Sequence, residues 1–136
     1  MKLSSKIRSE SDRCSEDRFS VLVVEDEVII RLMLSQSLRD VGYNVIETSN
    51  ADEALIVFEA TLPDIIVTDV RMPGAVDGMG LCATVRTYYP ELPVIIVSAH
   101  LDTNAAEIDP HTQFLPKPYS VVDLVEVIQT RLTACA

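Results

Sequence analysis

The most informative segment of the chain reads Ile65-Ile66-Val67-Thr68-Asp69-Val70-Arg71-Met72-Pro73-Gly74. Four uncharged residues, three of them β-branched aliphatics, lead directly into the carboxylate of Asp69. An apolar run of this length, with Pro63-Asp64 before it and Pro73-Gly74 after it, predicts a strand buried on both faces, which is typical of parallel sheets. Asp69 is then expected where the strand ends, at the edge of the sheet where open α/β folds bind ligands.

Other segments show the same strand pattern, and helical patterns separate them. The predicted strands comprise residues 19–24, 44–48, 65–69, 94–97 and 113–115. The predicted helices comprise residues 28–41, a segment that follows Asn50, residues 79–89, a short segment at 101–109 and a final segment that follows Ser120. Strand and helix alternate five times, which predicts an α/β fold. Since crossovers between parallel strands are right-handed, we expect a doubly wound, five-stranded parallel sheet with helices on both faces.

Apolar residues recur at helical spacing in these segments. In helix 28–41, which Gly42 is expected to end, they form a stripe of Val28, Ile29, Leu32, Met33, Leu38 and Val41. Ser49 and Asn50 are predicted N-caps, because each is followed three positions later by an acid. The next apolar faces are predicted to comprise Ala54, Leu55, Val57 and Phe58, and then Leu81, Cys82, Val85 and Tyr88 or Tyr89. Ser120 is expected to cap the final helix, whose predicted buried face comprises Val121, Val122, Leu124, Val125, Ile128 and Leu132.

The charge of the chain is acidic and unevenly distributed, with a formal net charge of −10. Residues 1–18 contain five basic and four acidic side chains, whereas residues 19–136 contain six basic and seventeen acidic ones. A body of this charge repels the phosphate backbone of nucleic acids. Direct binding to DNA or RNA is therefore not expected.

Cysteine usage and hydropathy bear on the compartment. Cys14, Cys82 and Cys135 are widely scattered and lack the spacing of metal sites, so we interpret them as reduced cytosolic thiols. No apolar segment follows the basic residues near the N-terminus, and no apolar run approaches the roughly 18 residues of a membrane span. A soluble cytoplasmic protein without a membrane partner is expected.

The sequence also suggests how the chain is organised. Residues 1–18 are rich in Ser and in charges of both signs, which predicts a disordered or loosely attached arm, with a short docking helix as the alternative. Residues 19–134 are expected to form one domain. Because the chain ends at Ala136, directly after the final predicted helix, no output domain is expected.

Chemically distinctive residues follow the predicted strands. Glu25-Asp26 follows the first strand, Asp69 ends the third, Ser98 ends the fourth, and Lys117 comes just after the fifth. In a parallel sheet these ends lie at one edge, so the side chains are expected to converge. Three crowded carboxylates raise one another's pKa unless a cation joins them, and Mg²⁺ prefers such oxygen ligands. Carboxylates, a hydroxyl and an ammonium around a metal can bind and neutralise a phosphoryl group.

Four motifs contain these residues. They are Val24-Glu25-Asp26-Glu27, Asp69-Val70-Arg71-Met72-Pro73-Gly74 with Asp77-Gly78, Val97-Ser98-Ala99, and Phe114-Leu115-Pro116-Lys117-Pro118. Together they resemble the receiver domain of two-component response regulators. Each motif is weak by itself, but all four occur in order at the ends of predicted strands. The resemblance covers about residues 19 to 134. It implies the flavodoxin-like strand order 2-1-3-4-5.

The resemblance implies a phosphoacceptor signalling domain rather than an enzyme. Asp69 would attack the phosphohistidine of a histidine kinase or histidine phosphotransfer protein and form an aspartyl phosphate. Glu25 and Asp26 would hold Mg²⁺ together with Asp69 and the backbone carbonyl of Arg71. The phosphorylated domain would then change its contacts with a downstream protein target or pass the phosphoryl group on. A monomer or weak homodimer is implied.

Other roles follow from the same resemblance. Lys117 would pair with a phosphoryl oxygen, and its bond to Pro118 is one that is often cis in the family. Ser98 would be the switch hydroxyl that turns toward the phosphoryl group, and Phe114 would be the switch aromatic. Both Ser98 and Phe114 also fit plainer roles, as a turn former and a core aromatic.

The chain departs from the family pattern between Ser98 and Lys117. This segment is a few residues shorter than usual, so the fourth of five helices is expected to be short or irregular. Arg71 and His100, each two residues past a site residue, resemble positions that line the mouth of the pocket. Arg71 could screen the acyl phosphate from water, whereas His100 also fits an ordinary loop histidine.

Two other functional classes are compatible with parts of the sequence. A pseudo-receiver would act as a constitutive interaction module without phosphorylation, although no residue of the site is missing. A phosphohydrolase of the haloacid dehalogenase kind also uses an aspartate at a strand end, but it needs a second Asp where this chain has Arg71. Glu25 and Asp26 could also be acids that complement a helix dipole.

Overall fold

The computed structural model of the chain describes residues 18–71, 76–98 and 110–135. Five strands lie within these ranges: β1 (Ser20–Val24), β2 (Asn44–Thr48), β3 (Ile65–Asp69), β4 (Val94–Ser98) and β5 (Thr112–Pro116). The helices of the same ranges are α1 (Val28–Val41), α2 (Ala51–Thr61), α3 (Gly78–Tyr88) and α4 (Val121–Cys135). None of these helices combines the length and apolar character that a membrane span requires.

The strands form one parallel sheet in the order β2-β1-β3-β4-β5. The predicted fold class and strand order are therefore confirmed. Val24, at the end of β1, lies opposite Thr48 on one side and Thr68 on the other. Ser98, at the end of β4, lies opposite Pro116 of β5. All strands consequently end at one edge of the sheet.

Two hydrophobic cores cover the two faces of the sheet. Alternate residues of β1 belong to different cores, with Val21 and Val23 on the face that α1 and α4 cover, and Leu22 and Val24 on the face that α2 and α3 cover. All residues of β1 are buried. Complete burial of a Val or Leu side chain contributes about 1.5–3 kcal/mol, so the central strands are firmly held. They provide a rigid base for the loops at the carboxyl edge.

The prediction for α1 was correct for Leu38, which is buried, and wrong for the rest of the predicted apolar stripe. Leu34, Ser35 and Leu38 are its buried residues. Ile29 is 72% exposed and Met33 is 66% exposed, because these positions lie on the opposite side of the helix from Leu34 and Leu38. Large apolar residues occur on both sides of α1, so periodicity does not reveal which side contacts the sheet. The other exposed members of the predicted stripe are Val28, Leu32 and Val41.

The prediction for α4 was correct in its later turns and wrong in its first. Leu124, Ile128 and Leu132, spaced four residues apart, are buried in the core. Val121 and Val122 are exposed, since they belong to the first turn and fall outside that spacing. Ser120 caps the helix as predicted, because its hydroxyl oxygen accepts a hydrogen bond from the Asp123 backbone N–H at 3.1 Å.

The remaining helices agree closely with their patterns. Asn50 is the N-cap of α2, with its side chain accepting a hydrogen bond from the Glu53 N–H at 2.8 Å. Leu81, Cys82 and Val85 of α3 are buried as predicted. Of the two candidate tyrosines, Tyr89 turns inward and packs edge-on against Phe58, with 5.1 Å between the ring centroids. Tyr88 is exposed.

Some predictions concern parts of the chain outside the described residues. They are the arm, apart from Arg18, the short helix at residues 101–109, and the position of His100.

Candidate functional site

Three carboxylates converge where β1 and β3 end side by side. Glu25 and Asp26 directly follow β1, and Asp69 is the last residue of β3. One carboxylate oxygen from each residue lies within 4.8 Å of the others. Glu25 is buried and Asp26 is exposed, and the Asp69 side chain is 14% exposed. The cluster is therefore anchored in the protein and open to solvent on one side.

The backbone around Glu25 is held by several hydrogen bonds. Its N–H donates to the Thr48 carbonyl at 3.1 Å, which extends the pairing of β1 with β2 beyond the strand. Its carbonyl accepts a hydrogen bond from Arg31 Nη1 at 2.9 Å. Its carboxylate accepts the Glu27 N–H at 3.2 Å. These contacts hold the acid at the sheet edge, facing Asp69.

Lys117 brings an ammonium group to the same cluster. Its Nζ donates to Asp69 Oδ2 at 2.9 Å. Its backbone N–H donates to the Ser98 carbonyl at 2.8 Å, so the residue is tied to the end of β4. The Lys117–Pro118 peptide bond is cis, as the resemblance implied. Two strand ends thus determine where the ammonium lies relative to Asp69.

Gly78 lies directly against the backbone of Asp69. Its N–H donates to the Val70 carbonyl at 2.9 Å. A Cβ atom at this position would lie 2.0 Å from the Asp69 carbonyl oxygen, so a side chain does not fit. Asp77 caps the helix that begins here, accepting the Gly80 N–H at 2.9 Å. The start of α3 therefore packs against the backbone of Asp69 and Val70.

Three groups in the site, Glu25, Lys117 and Tyr119, have pKa values raised above their ordinary values. Burial, partly offset by the Glu27 hydrogen bond and reinforced by the charge of Asp69, raises the pKa of Glu25 to about 7. Burial lowers the pKa of the Lys117 ammonium, but its hydrogen bond and charge pairing with Asp69 outweigh this effect, so the net change is upward. Burial and the charge of Glu25 raise the pKa of the nearby Tyr119 hydroxyl. Glu25 thus resists ionisation, because burial and the charge of Asp69 outweigh the groups that favour its charged form.

We expect Glu25 to make the free energy of unfolding depend on pH when metal is absent. Its folded-state pKa of about 7 exceeds the ordinary value of 4.5, so the folded protein retains a proton that the unfolded chain releases. The stabilising contribution of that proton is complete below the ordinary pKa and is lost as the pH rises toward the folded-state pKa, with a total on the order of 3 kcal/mol. Urea unfolding in a chelator, from about pH 5 to about pH 8, should show this loss.

Glu25→Gln is the control for this prediction, because an amide cannot release the proton. The difference in unfolding free energy between wild type and Glu25→Gln should shift in favour of the variant as the pH rises. Parallel stability curves for the two proteins would contradict the assigned pKa of Glu25.

The other predicted site residues within the described ranges are Ser98, Phe114 and Arg71. Ser98 is buried at the end of β4, and Phe114 is half-buried within β5, opposite Ile96, where it packs against the core that α2 and α3 cover. Arg71 is exposed, two residues after Asp69. The structure therefore brings Glu25, Asp26, Asp69 and Lys117 together and places Ser98 on the adjoining strand end.

Sequence reasoning missed three residues that shape the site. Gly78 was part of a quoted motif but received no role, although its place after an N-cap acid was a usable signal. Arg31 is one of several arginines in the chain, and nothing in its pattern distinguishes it. Tyr119 follows Lys117-Pro118, and only the fold shows that its hydroxyl is close enough to Glu25, Asp69 and Lys117 for their charges to affect its pKa.

The three carboxylates fit a hard divalent cation. Mg²⁺ binds oxygen ligands at about 2.1 Å, so oxygens that share one ion lie roughly 3–4 Å apart. The ligand atoms of Glu25, Asp26 and Asp69, all within 4.8 Å of one another, need only a small adjustment or an intervening water molecule. A metal cation beside Glu25 would also favour its ionised form and so lower its raised pKa.

Comparisons with known proteins agree with this geometry. A family model described as the response regulator receiver domain matches residues 21–129. Over 117 residues the chain is 33% identical to the DNA-binding transcriptional regulator NtrC of Salmonella typhimurium, a match that covers 83% of this chain and 24% of NtrC. The chain therefore spans only about a quarter of the length of this relative.

Solved structures of similar proteins also match most of the chain. A response regulator receiver protein from Sinorhizobium medicae superposes with a TM-score of 0.80 at 26% identity, covering 88% of this chain and 98% of that one. The chemotaxis protein CheY4 of Vibrio cholerae gives a TM-score of 0.76 at 28% identity, covering 83% and 98%. The chain belongs to the family of response regulator receiver domains of two-component systems.

Proposed function

We propose that this receiver domain accepts a phosphoryl group on Asp69 from a phosphohistidine of a partner protein. The observation that carries the proposal is the position of the Asp69 carboxylate, which lies within 4.8 Å of the Glu25 and Asp26 oxygens and 2.9 Å from Lys117 Nζ. Asp69 therefore has acids that can hold a metal on one side and a fixed ammonium on the other. The open side of the cluster leaves room for a donor to approach.

In this reaction a carboxylate oxygen of Asp69 attacks the phosphorus atom. A new O–P bond forms as the P–N bond to the histidine breaks, and the leaving imidazole nitrogen retains the electron pair. Lys117 is placed to pair with a phosphoryl oxygen as its contact with the Asp69 carboxylate weakens. Backbone contacts at Gly78 and at the end of β3 keep Asp69 stationary during the transfer.

The metal proposed for the site is Mg²⁺. Glu25, Asp26 and Asp69, with the backbone carbonyl of Arg71, would hold it, directly or through water. When bound, Mg²⁺ would supply positive charge that neutralises the phosphoryl oxygens and the crowded carboxylates.

The proposed donor is a protein, a histidine kinase or a histidine phosphotransfer protein. Next to the carboxylates, a groove of about 540 Å³ is lined by α1 and the segment after β5, and its walls include Met33, Lys117, Pro118 and Val121. Met33 and Val121 are both exposed at this groove, so it presents more apolar area than an isolated surface residue would. A protein donor can use such a surface to hold its phosphohistidine at Asp69.

The proposal is tested by incubating the protein with Mg²⁺ and acetyl phosphate and measuring its intact mass. We expect an added phosphoryl unit in the wild type and none in Asp69→Asn or in the presence of a chelator. An adduct that persists in Asp69→Asn would reject this residue as the acceptor. No adduct under any condition would favour a constitutive interaction module instead.

A second arm of the experiment tests the donor class. The protein is mixed with a phosphorylated histidine phosphotransfer protein, and loss of label from the donor is followed in wild type and in Asp69→Asn. Transfer that requires Asp69 supports the proposed partner. Phosphorylation by acetyl phosphate alone would keep the acceptor role and reject the histidine donor.

A further inference from the structure

Arg31 links the metal-binding edge of the sheet to the ion pairs between α1 and β2. Its Nη1 donates to the backbone carbonyl of Glu25 at 2.9 Å. Its Nε lies 3.7 Å from a carboxylate oxygen of Glu47, which belongs to β2. The Arg31 side chain is 17% exposed, so these contacts are largely shielded from water. One guanidinium therefore connects the first turns of α1 with the ends of β1 and β2.

Arg39 provides a useful comparison on the same helix. Its Nη1 lies 2.9 Å from the other carboxylate oxygen of Glu47, which is shorter than the 3.7 Å between Arg31 Nε and Glu47. Its Nη2 donates a hydrogen bond to the Val45 carbonyl at 3.1 Å, and its side chain is 43% exposed. Both arginines thus pair with Glu47. Arg31 also donates a hydrogen bond to the Glu25 carbonyl, whereas Arg39 donates one to the Val45 carbonyl.

We propose that Arg31 is a positioning residue for the metal site, an inference that rests on the proposed function. Arg31 determines where the backbone leaves β1, and thereby holds the carboxylates of Glu25 and Asp26 toward Asp69. A guanidinium suits this role, because its planar set of donors can bind a carbonyl with one nitrogen and a carboxylate with another. Glu47 in turn keeps the guanidinium in its orientation.

The sign of the effect distinguishes positioning from simple electrostatics. Removing a positive charge near three carboxylates should, by Coulomb's law alone, strengthen the binding of a cation. Losing the hydrogen bond to Glu25 should weaken binding, because the ligands are no longer held at the right separation. Groups that orient metal ligands without contacting the metal change its affinity by about 10- to 100-fold when removed. We therefore expect the positioning effect to prevail.

The experiment measures Mg²⁺ binding by isothermal titration calorimetry, without any phosphoryl donor. Arg31→Met retains most of the aliphatic stem and removes every donor, and it should raise the Kd for Mg²⁺ about 10-fold. Arg39→Met removes the same charge and an ion pair with Glu47, and it should leave the Kd within about twofold of wild type, since it does not contact Glu25. Circular dichroism shows whether each variant is folded.

Arg31→Lys keeps the charge and provides a second test if Arg31→Met does not fold. A lysine holds its donors on a single nitrogen and cannot reproduce the planar fork by which Arg31 reaches Glu25 and Glu47 with separate nitrogens, so its Kd should fall between those of wild type and Arg31→Met. An unchanged Kd in Arg31→Met, or in Arg31→Lys where Arg31→Met is unfolded, overturns the positioning role. An equal weakening by Arg39→Met overturns it as well. If wild type binds Mg²⁺ and the variant binds it with the same Kd, the positioning role is rejected and the proposed function stands. If wild type does not bind Mg²⁺, both proposals are rejected.

Discussion

Replacing Lys117 with Met is expected to slow the phosphorylation of Asp69 by acetyl phosphate about 100- to 1,000-fold, the usual result of removing a fixed group that stabilises charge in the transition state. Lys117 Nζ is 2.9 Å from Asp69 Oδ2, and the Lys117 backbone N–H donates to the Ser98 carbonyl, so the ammonium is held beside the acceptor carboxylate. The measurement is the rate at which the phosphorylated species accumulates in intact-mass spectra at saturating Mg²⁺.

Mg²⁺ affinity provides the control for this variant. Loss of the Lys117 ammonium leaves the carboxylates of Glu25, Asp26 and Asp69 more negative, so the protein should bind Mg²⁺ at least as well as wild type. A slow reaction with intact metal binding would assign Lys117 to the transfer step. A rate within a few-fold of wild type would show that Lys117 serves only as an ion-pair partner of Asp69.

Gly78→Ala is expected to destabilise the fold and impair the site at once. The new Cβ would lie 2.0 Å from the Asp69 carbonyl oxygen and 3.0 Å from the Val70 Cα, and both are backbone atoms that cannot turn aside. Alanine in a helix is favoured over glycine by about 1 kcal/mol, but overpacking of this kind costs about 1–3 kcal/mol or more. We expect a net loss of about 2 kcal/mol in urea unfolding and slower phosphorylation of Asp69.

Gly80→Ala is the matched control, two residues later in the same helix. Its Cβ would lie 2.9 Å from a methyl group of Val76, a side-chain contact that a small movement can relieve. The gain in helix propensity and this minor strain should nearly cancel. Equal destabilisation by the two variants would contradict the special role given to the contact between Gly78 and Asp69.

The strands and the order of elements were predictable because they depend on local sequence. Runs such as Val21–Val24 and Ile65–Val67 are uniformly apolar, which is the pattern typical of a strand with both faces covered by helices. Turn and cap residues such as Gly42 and Asn50 act on their immediate neighbours, so their effects were also predictable.

The buried face of α1 could not be predicted from periodicity alone. Ile29 and Met33 are as apolar as Leu34 and Leu38, and only contact with the sheet determines which pair is buried. The same reasoning applies to Val121 and Val122, which precede the part of α4 that lies over the core. Burial depends on where a helix crosses the sheet, and that position is set by residues distant in sequence.

Asp69 at the end of a buried strand was apparent in the residue order itself, because one strand and the turn after it suffice to place a carboxylate at a sheet edge. The contacts that position this carboxylate and the neighbouring acid of Glu25 come from elsewhere in the chain. Arg31 reaches the carbonyl of Glu25, Gly78 packs against the Asp69 backbone, and Lys117 donates to the Asp69 side chain from a strand two places away in the sheet. Such contacts arise only when the strands pair and the helices pack, since distances between residues remote in sequence are properties of the folded chain.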